Sequence, residues 1–258
     1  MKLLILALGM FVMSASSFAT ENVTLKTSRG SEVHVTLHIP QGSNLPAIVV
    51  APGQSCNSKG ALFETLGNLG DGEKLAVVRF EWSYCNSNPS QPTPSADLKN
   101  EIEDFKTVLE FAKSHAAIDK NSIILAGKSL GSLVSYSVFA NEPSAKGLIL
   151  FTPICSYTTD DNGNLLPEPL NVCDDNYPKI KEDKRPVLMT MGNGDSLCLI
   201  PVLYDFLKDS KGNIAIVVAG GDHGFRSKDS AGAVDKAKTQ KNINSVVTSA
   251  LNWVLLNL

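Results

Sequence analysis

Residues 123–140 read IILAGKSLGSLVSYSVFA. Apolar residues run into Gly127-Lys128-Ser129-Leu130-Gly131, and a helix-like pattern follows. A short apolar run that stops at a glycine predicts a buried strand, Ser122 to Ala126. A serine fenced by glycines between that strand and a helix predicts a sharp turn that holds one side chain up. Glycine at 127 and 131 removes the β-carbons that would collide where the strand and helix backbones close on each other. The helix beginning near Leu130 also offers free N–H groups and the positive end of its dipole to any oxyanion forming beside Ser129. Ser129 is therefore the candidate nucleophile.

Elements of the same kind flank this turn. NVTLKT and EVHVTLHIP alternate around Arg29-Gly30 and predict an opening hairpin. PAIVVAP, KLAVVRFEW, KGLILFTP, RPVLMTMG and NIAIVVAGG are short, β-rich apolar runs of the type buried on both faces of a parallel sheet. Between them, residues 97–113 place Leu98, Ile102, Phe105, Leu109 and Ala112 on one helical face. Ile243, Val246, Val247, Ala250, Leu251 and Val254 do so near the C-terminus. This alternation predicts an α/β fold in three layers, α/β/α, on a mostly parallel sheet with no large cap domain. The stretch Ser156 to Lys184, rich in Asp, Asn and Pro, is expected to be an irregular loop over one end of the sheet. With Asn86 to Ser95 it is expected to shape what enters.

A serine hydroxyl needs a base, and four histidines are available. His34 and His38 share a strand face in the hairpin and His115 closes a helix, which are structural or solvated places. His223 follows the last strand in a glycine-lined loop, GGDHGF, at the same end of the sheet as Ser129. The base needs a carboxylate to fix its tautomer. Asp195, in GNGDS just past the preceding strand, is the first candidate. Asp222 ranks second, because adjacent side chains diverge in a loop. The oxyanion hole is assigned to the N–H of Leu130 and that of Gln54, with Ser55 as an alternative. Lys128 reads as a solvated or helix-packing lysine.

The chain of 258 residues opens with Lys2, about ten apolar residues and a small-residue site at Ser17-Phe18-Ala19. Residues 1–19 are thus expected to be a signal peptide cleaved after Ala19, leaving a single domain, 20–258, secreted or periplasmic. No later segment is apolar enough for a membrane helix, so no stable membrane insertion is expected. Removing Lys2 leaves 22 of the 23 basic residues against 26 acidic ones, a net charge near −4 that attracts no nucleic acid. All five cysteines lie in the exported part, where disulfides form. The pairs expected are Cys155 with Cys173 and Cys56 with Cys85. Their spacing matches no zinc ribbon, and the chemistry read here requires no metal or other cofactor.

The order Ser129, Asp195, His223, each just past a strand, resembles the α/β-hydrolase superfamily. The resemblance covers most of the mature chain and is strongest to the small capless branch related to dienelactone hydrolases. VVAPGQS, VVRFEWSY, LAGKSLGS and AGGDHGF are similar to a hydrolase-like domain also found in a testis-expressed protein and in a chromatin-complex subunit. In that group Arg79 and Tyr84 match a recurrent block near the site. The chain departs from dienelactone hydrolases in carrying Ser129 where they use cysteine. The resemblance implies a small-molecule acyl substrate attacked by Ser129. Two other readings are a ligand-binding protein on the same scaffold, without turnover, and a thiol role for the odd cysteine, with Cys198 near Asp195.

Overall fold

The computed structural model describes residues 19–87, 93–160, 162 and 164–258; residues 1–18, where the expected signal peptide falls, and 88–92 lie outside them. The strands are β1 (Ala19–Lys26), β2 (Glu32–Ile39), β3 (Leu45–Ala51), β4 (Ala76–Glu81), β5 (Ile118–Lys128), β6 (Gly147–Phe151), β7 (Ser156–Thr159), β8 (Leu165–Asn171), β9 (Val187–Gly192), β10 (Ile214–Ala219), β11 (Ser227–Lys228) and β12 (Val234–Asp235). The helices are α1 (Ala61–Gly72), α2 (Ser83–Ser87), α3 (Lys99–Ser114), α4 (Leu130–Phe139), α5 (Cys173–Asn176), α6 (Ile200–Leu207) and α7 (Lys236–Asn257).

The main sheet has the order β1-β2-β4-β3-β5-β6-β9-β10. From β4 to β10 every pairing is parallel, and the expected hairpin β1–β2 joins that block antiparallel through β2 and β4. Alternate residues of one strand feed opposite faces. Val49 and Leu125 pack with Phe105, Val108 and Val134 of α3 and α4. Ile48 and Ile124 pack with Leu66 of α1 and with Val246, Val247 and Val254 of α7. That is the three-layer α/β arrangement expected from the alternation, with burial on both faces of the parallel strands.

Two expectations need correcting. The stretch 156–184 is not irregular throughout. Among its described residues, β7 and β8 form a small antiparallel pair and α5 follows. It stands at the carboxyl end of β6, where the Cys155 and Ser156 N–H groups both donate to the Leu197 carbonyl. Helix α3 begins at Lys99 rather than 97, because Leu98 adopts a left-handed φ of 54° and the Ser95 N–H and hydroxyl both donate to the Glu101 carboxylate.

Candidate active site

The turn at Ser129 has the geometry its glycines suggest. Ser129 sits at φ 53°, ψ −121°, a conformation that costs a non-glycine residue on the order of 1–3 kcal/mol. Neighbouring structure holds it there. Its N–H donates to the Phe151 carbonyl on β6 at 3.0 Å, and its carbonyl accepts from the Ser132 N–H and hydroxyl. A β-carbon on Gly127 would fall onto the Gly131 carbonyl, and one on Gly131 onto the carbonyls of Ala51 and Pro52. Strand β5, helix α4 and the end of β3 therefore meet at backbone distance, and only glycine fits at both places.

Three side chains converge above that turn. His223 Nε2 lies 2.8 Å from Ser129 Oγ, and His223 Nδ1 lies 2.9 Å from each carboxylate oxygen of Asp195. Asp195 is 2% exposed and its Oδ1 also accepts from the Leu197 N–H; the imidazole, 20% exposed, opens to the cleft. The loops bearing the acid and the imidazole are laced together. Asn193 N–H donates to the Ala219 carbonyl, Gly194 N–H to the Gly221 carbonyl, and Gly221 N–H to Asn193 Oδ1. Asn242 on α7 ties down the Phe225 carbonyl behind His223. The rival carboxylate, Asp222, faces the other way: it accepts from the Gly224 and Arg226 N–H groups and pairs with the Arg226 guanidinium at 2.9 Å.

Opposite Ser129, the loop from β3 to α1 carries Gln54. Its outward carbonyls are held. Trp82 Nε1 donates to the Gly53 carbonyl at 3.1 Å, and Tyr84 Oη to that of Gln54 at 2.9 Å. Arg79 donates to the Ser58 carbonyl and pairs with Glu64 at 2.8 Å, while Glu81 accepts from the Ser58 N–H and hydroxyl. The Cys56–Cys85 disulfide, with Cα atoms 5.8 Å apart, closes the loop onto α2. Among the described residues no acceptor takes the Gln54 N–H or the Leu130 N–H. Ser129, His223, Lys128, Gly53, Gln54 and Ser55 line a cleft of about 400 Å³.

The structure departs from the sequence-based expectations at three residues. Lys128 is not a solvated surface lysine; it is half-buried and lines this cleft. Cys155 and Cys173 are buried thiols rather than a disulfide. Cys173 donates weakly to the Cys155 carbonyl at 3.5 Å, and the Cys155 thiol rests between those of Cys173 and Cys198. These neighbours and burial push its pKa far above the ordinary thiol range. The Trp82 and Tyr84 hydrogen bonds to the loop escaped sequence reading. Their signal was the aromatic pair after β4, whose reach depends on β4 lying beside β3. His34 contacts Thr24 across the hairpin and His38 accepts from buried Arg79, both away from the cleft, and His115 caps α3. Cys56, Glu81 and Cys85 alone, among the described residues, cluster closely enough to hold a metal. Their two sulfurs are already joined, so one free donor remains.

A family model described as an alpha/beta hydrolase domain matches residues 45–254. The chain belongs to that family. A solved structure of an alpha-beta serine hydrolase homologue from Coxiella burnetii is 20% identical, with 89% of this chain and 96% of that one covered and a TM-score of 0.64. Dienelactone hydrolase from Anabaena variabilis ATCC 29413 is 13% identical over 93% of this chain and 99% of that one, with a TM-score of 0.68. Both likenesses concern the fold. A quorum-quenching protein, AidA, of Acinetobacter baumannii (strain MDR-ZJ06) is 28% identical over 81 residues. That match takes in 31% of this chain and 27% of AidA, so the chain spans little more than a quarter of that relative's length. No helix among the described residues is long and apolar enough to cross a membrane.

Proposed function

We propose that this alpha/beta hydrolase is an exported serine hydrolase that cleaves an ester or related acyl bond through an acyl-enzyme. The observation that carries the reading is the continuous chain of contacts from Asp195 through His223 to Ser129 Oγ, at 2.9 and 2.8 Å. His223 Nε2 takes the hydroxyl proton as Ser129 Oγ attacks the carbonyl carbon, and the Leu130 and Gln54 N–H groups hold the oxyanion. The same nitrogen then protonates the leaving oxygen. Asp195, accepting from Nδ1, holds the tautomer and stabilises the imidazolium. Water, activated by His223, releases the acid and restores Ser129. Atoms balance with water as the sole co-reactant, so the chemistry calls for no cofactor. Export is supported by the Lys2-led apolar leader and by the Cys56–Cys85 disulfide, a bond that persists in oxidising compartments.

The test is labelling of the purified protein with a fluorophosphonate, beside Ser129→Ala and His223→Ala. Labelling of the unaltered protein that is lost in both variants is expected. A folded protein that never labels would sink the hydrolase reading and leave a ligand-binding scaffold. Sequencing the exported product should find Thr20 at its N-terminus.

A further inference from the structure

The cleft at Ser129 continues into a second hollow of about 380 Å³ that shares Gly53, Ser55, Lys128 and His223. Leu62 and Phe63 from the start of α1 and Ile243 from α7 give it an apolar wall, and Arg226 stands at its edge. Among the described residues no aspartate or glutamate lines either hollow, although the chain as a whole carries a formal net charge of −3. Its two cations are in different states. Arg226 is engaged by Asp222 through Nε at 3.0 Å and Nη2 at 2.9 Å, and its side chain is 59% exposed. Lys128, half-buried, has no hydrogen-bond or ion-pair partner among the described residues. Burial lowers its pKa from 10.5 to about 8, with the Asp195 charge raising it, Arg226 lowering it and Asp222 raising it.

A partly desolvated ammonium with no acceptor is a costly feature to keep, and a bound anion recovers that cost. We infer that Lys128 is the anion-binding residue of the cleft, and that the preferred substrates are esters whose leaving half is an apolar hydroxy-carboxylate. The inference rests on the hydrolase reading given above. The placement on the leaving half follows from proton transfer. His223 Nε2 must reach the departing oxygen, and the second hollow opens where His223 and Gly224 form its wall. A ring or short alkyl chain fits against Leu62, Phe63 and Ile243, and its carboxylate meets the Lys128 ammonium.

The experiment compares 4-acetoxybenzoate, anionic on the leaving half, with 4-acetoxybenzamide, its neutral counterpart. In the unaltered protein kcat/KM is expected to favour the anion at pH 7. Lys128→Met should lower that preference by about tenfold or more, through KM, which cancels the intrinsic reactivities of the two esters. The preference should also fade as pH rises through about 8, where Lys128 loses its proton. Taking the ratio of the two esters at each pH removes any pH effect common to both. Binding of both esters to Ser129→Ala, with and without Lys128→Met, reads the charge preference in the absence of turnover. Anion-selective binding with no turnover and no fluorophosphonate labelling would overturn the hydrolase reading and leave the Lys128 site standing. Turnover in which Lys128→Met slows both esters equally, or neither, overturns the Lys128 inference alone. Thermal unfolding of Lys128→Met should be no lower than that of the unaltered protein, which sets aside a folding defect.

Discussion

The wall of the cleft that carries Gln54 is held from behind by a disulfide and by the Trp82, Tyr84 and Arg79 side chains. The wall that carries Asp195 and His223 is held by hydrogen bonds between two loops, and the N–H of Cys155, one of three buried free thiols, donates to the Leu197 carbonyl two residues past Asp195. In the proposed mechanism the difference follows from what each wall would supply. An oxyanion donor is a backbone N–H, whose direction is set only by anchoring the peptide on either side of it, so the anchors fall on the Gly53 and Gln54 carbonyls. Asp195 and His223, the proposed orienting carboxylate and base, are side chains just past the ends of adjacent parallel strands, β9 and β10, already in register with each other. Close packing and the Asn193–Gly221 contacts suffice there. Cysteine takes part in both walls, as a covalent staple in one and as a small buried apolar group in the other.

The largest expected break in this comparison is on the side-chain wall. Asp195→Ala should lower ester kcat by about 10³–10⁴-fold, because the imidazole loses its orienting acceptor. A loss below tenfold would move that role to another group. Next in size is the staple. Replacing Cys56 and Cys85 together by serine frees a loop with a sequence separation of 29. Denaturant unfolding should show a loss of about 3–4 kcal/mol on the chain-entropy estimate. Thiol titration of the unaltered protein should then count three cysteines on unfolding and none in the native state; five would dissolve the contrast between the two walls. The smallest effect is the most local. Tyr84→Phe deletes one hydrogen bond to the Gln54 carbonyl, worth about 1 kcal/mol. It should lower kcat several-fold with KM nearly unchanged, and lower the unfolding midpoint by no more than that one hydrogen bond. A KM effect in place of a kcat effect would show Tyr84 acting on substrate rather than on the oxyanion loop.

The positions of the elements were readable because they depend on near neighbours in the chain. The apolar face of α7, from Ile243 to Val254, is buried as its spacing predicts, and α4 begins at Leu130. Gly127 announced a backbone crossing four residues along, which is a local steric matter, whereas Gly131 makes room for the Ala51 and Pro52 carbonyls at the end of β3. The stretch 156–184 was harder. Its turn residues signal loops, whereas the β7–β8 pairing owes its place to the Leu197 backbone, far along the chain. The rank of Asp195 over Asp222 was argued from loop geometry, and the contacts of Asp222 with Arg226 give it a physical basis.

By itself, then, the sequence determined the alternation of strands and helices, the glycine-fenced serine and the order Ser129, Asp195, His223, because periodicity and sterics act over a few residues. Tertiary structure alone decided that Lys128 faces the cleft, that Tyr84 reaches Gln54 and that Cys155 rests between two thiols. Those contacts join segments many residues apart. Their partners are set by sheet order and strand register, which fix each side chain's direction only once every layer is in place.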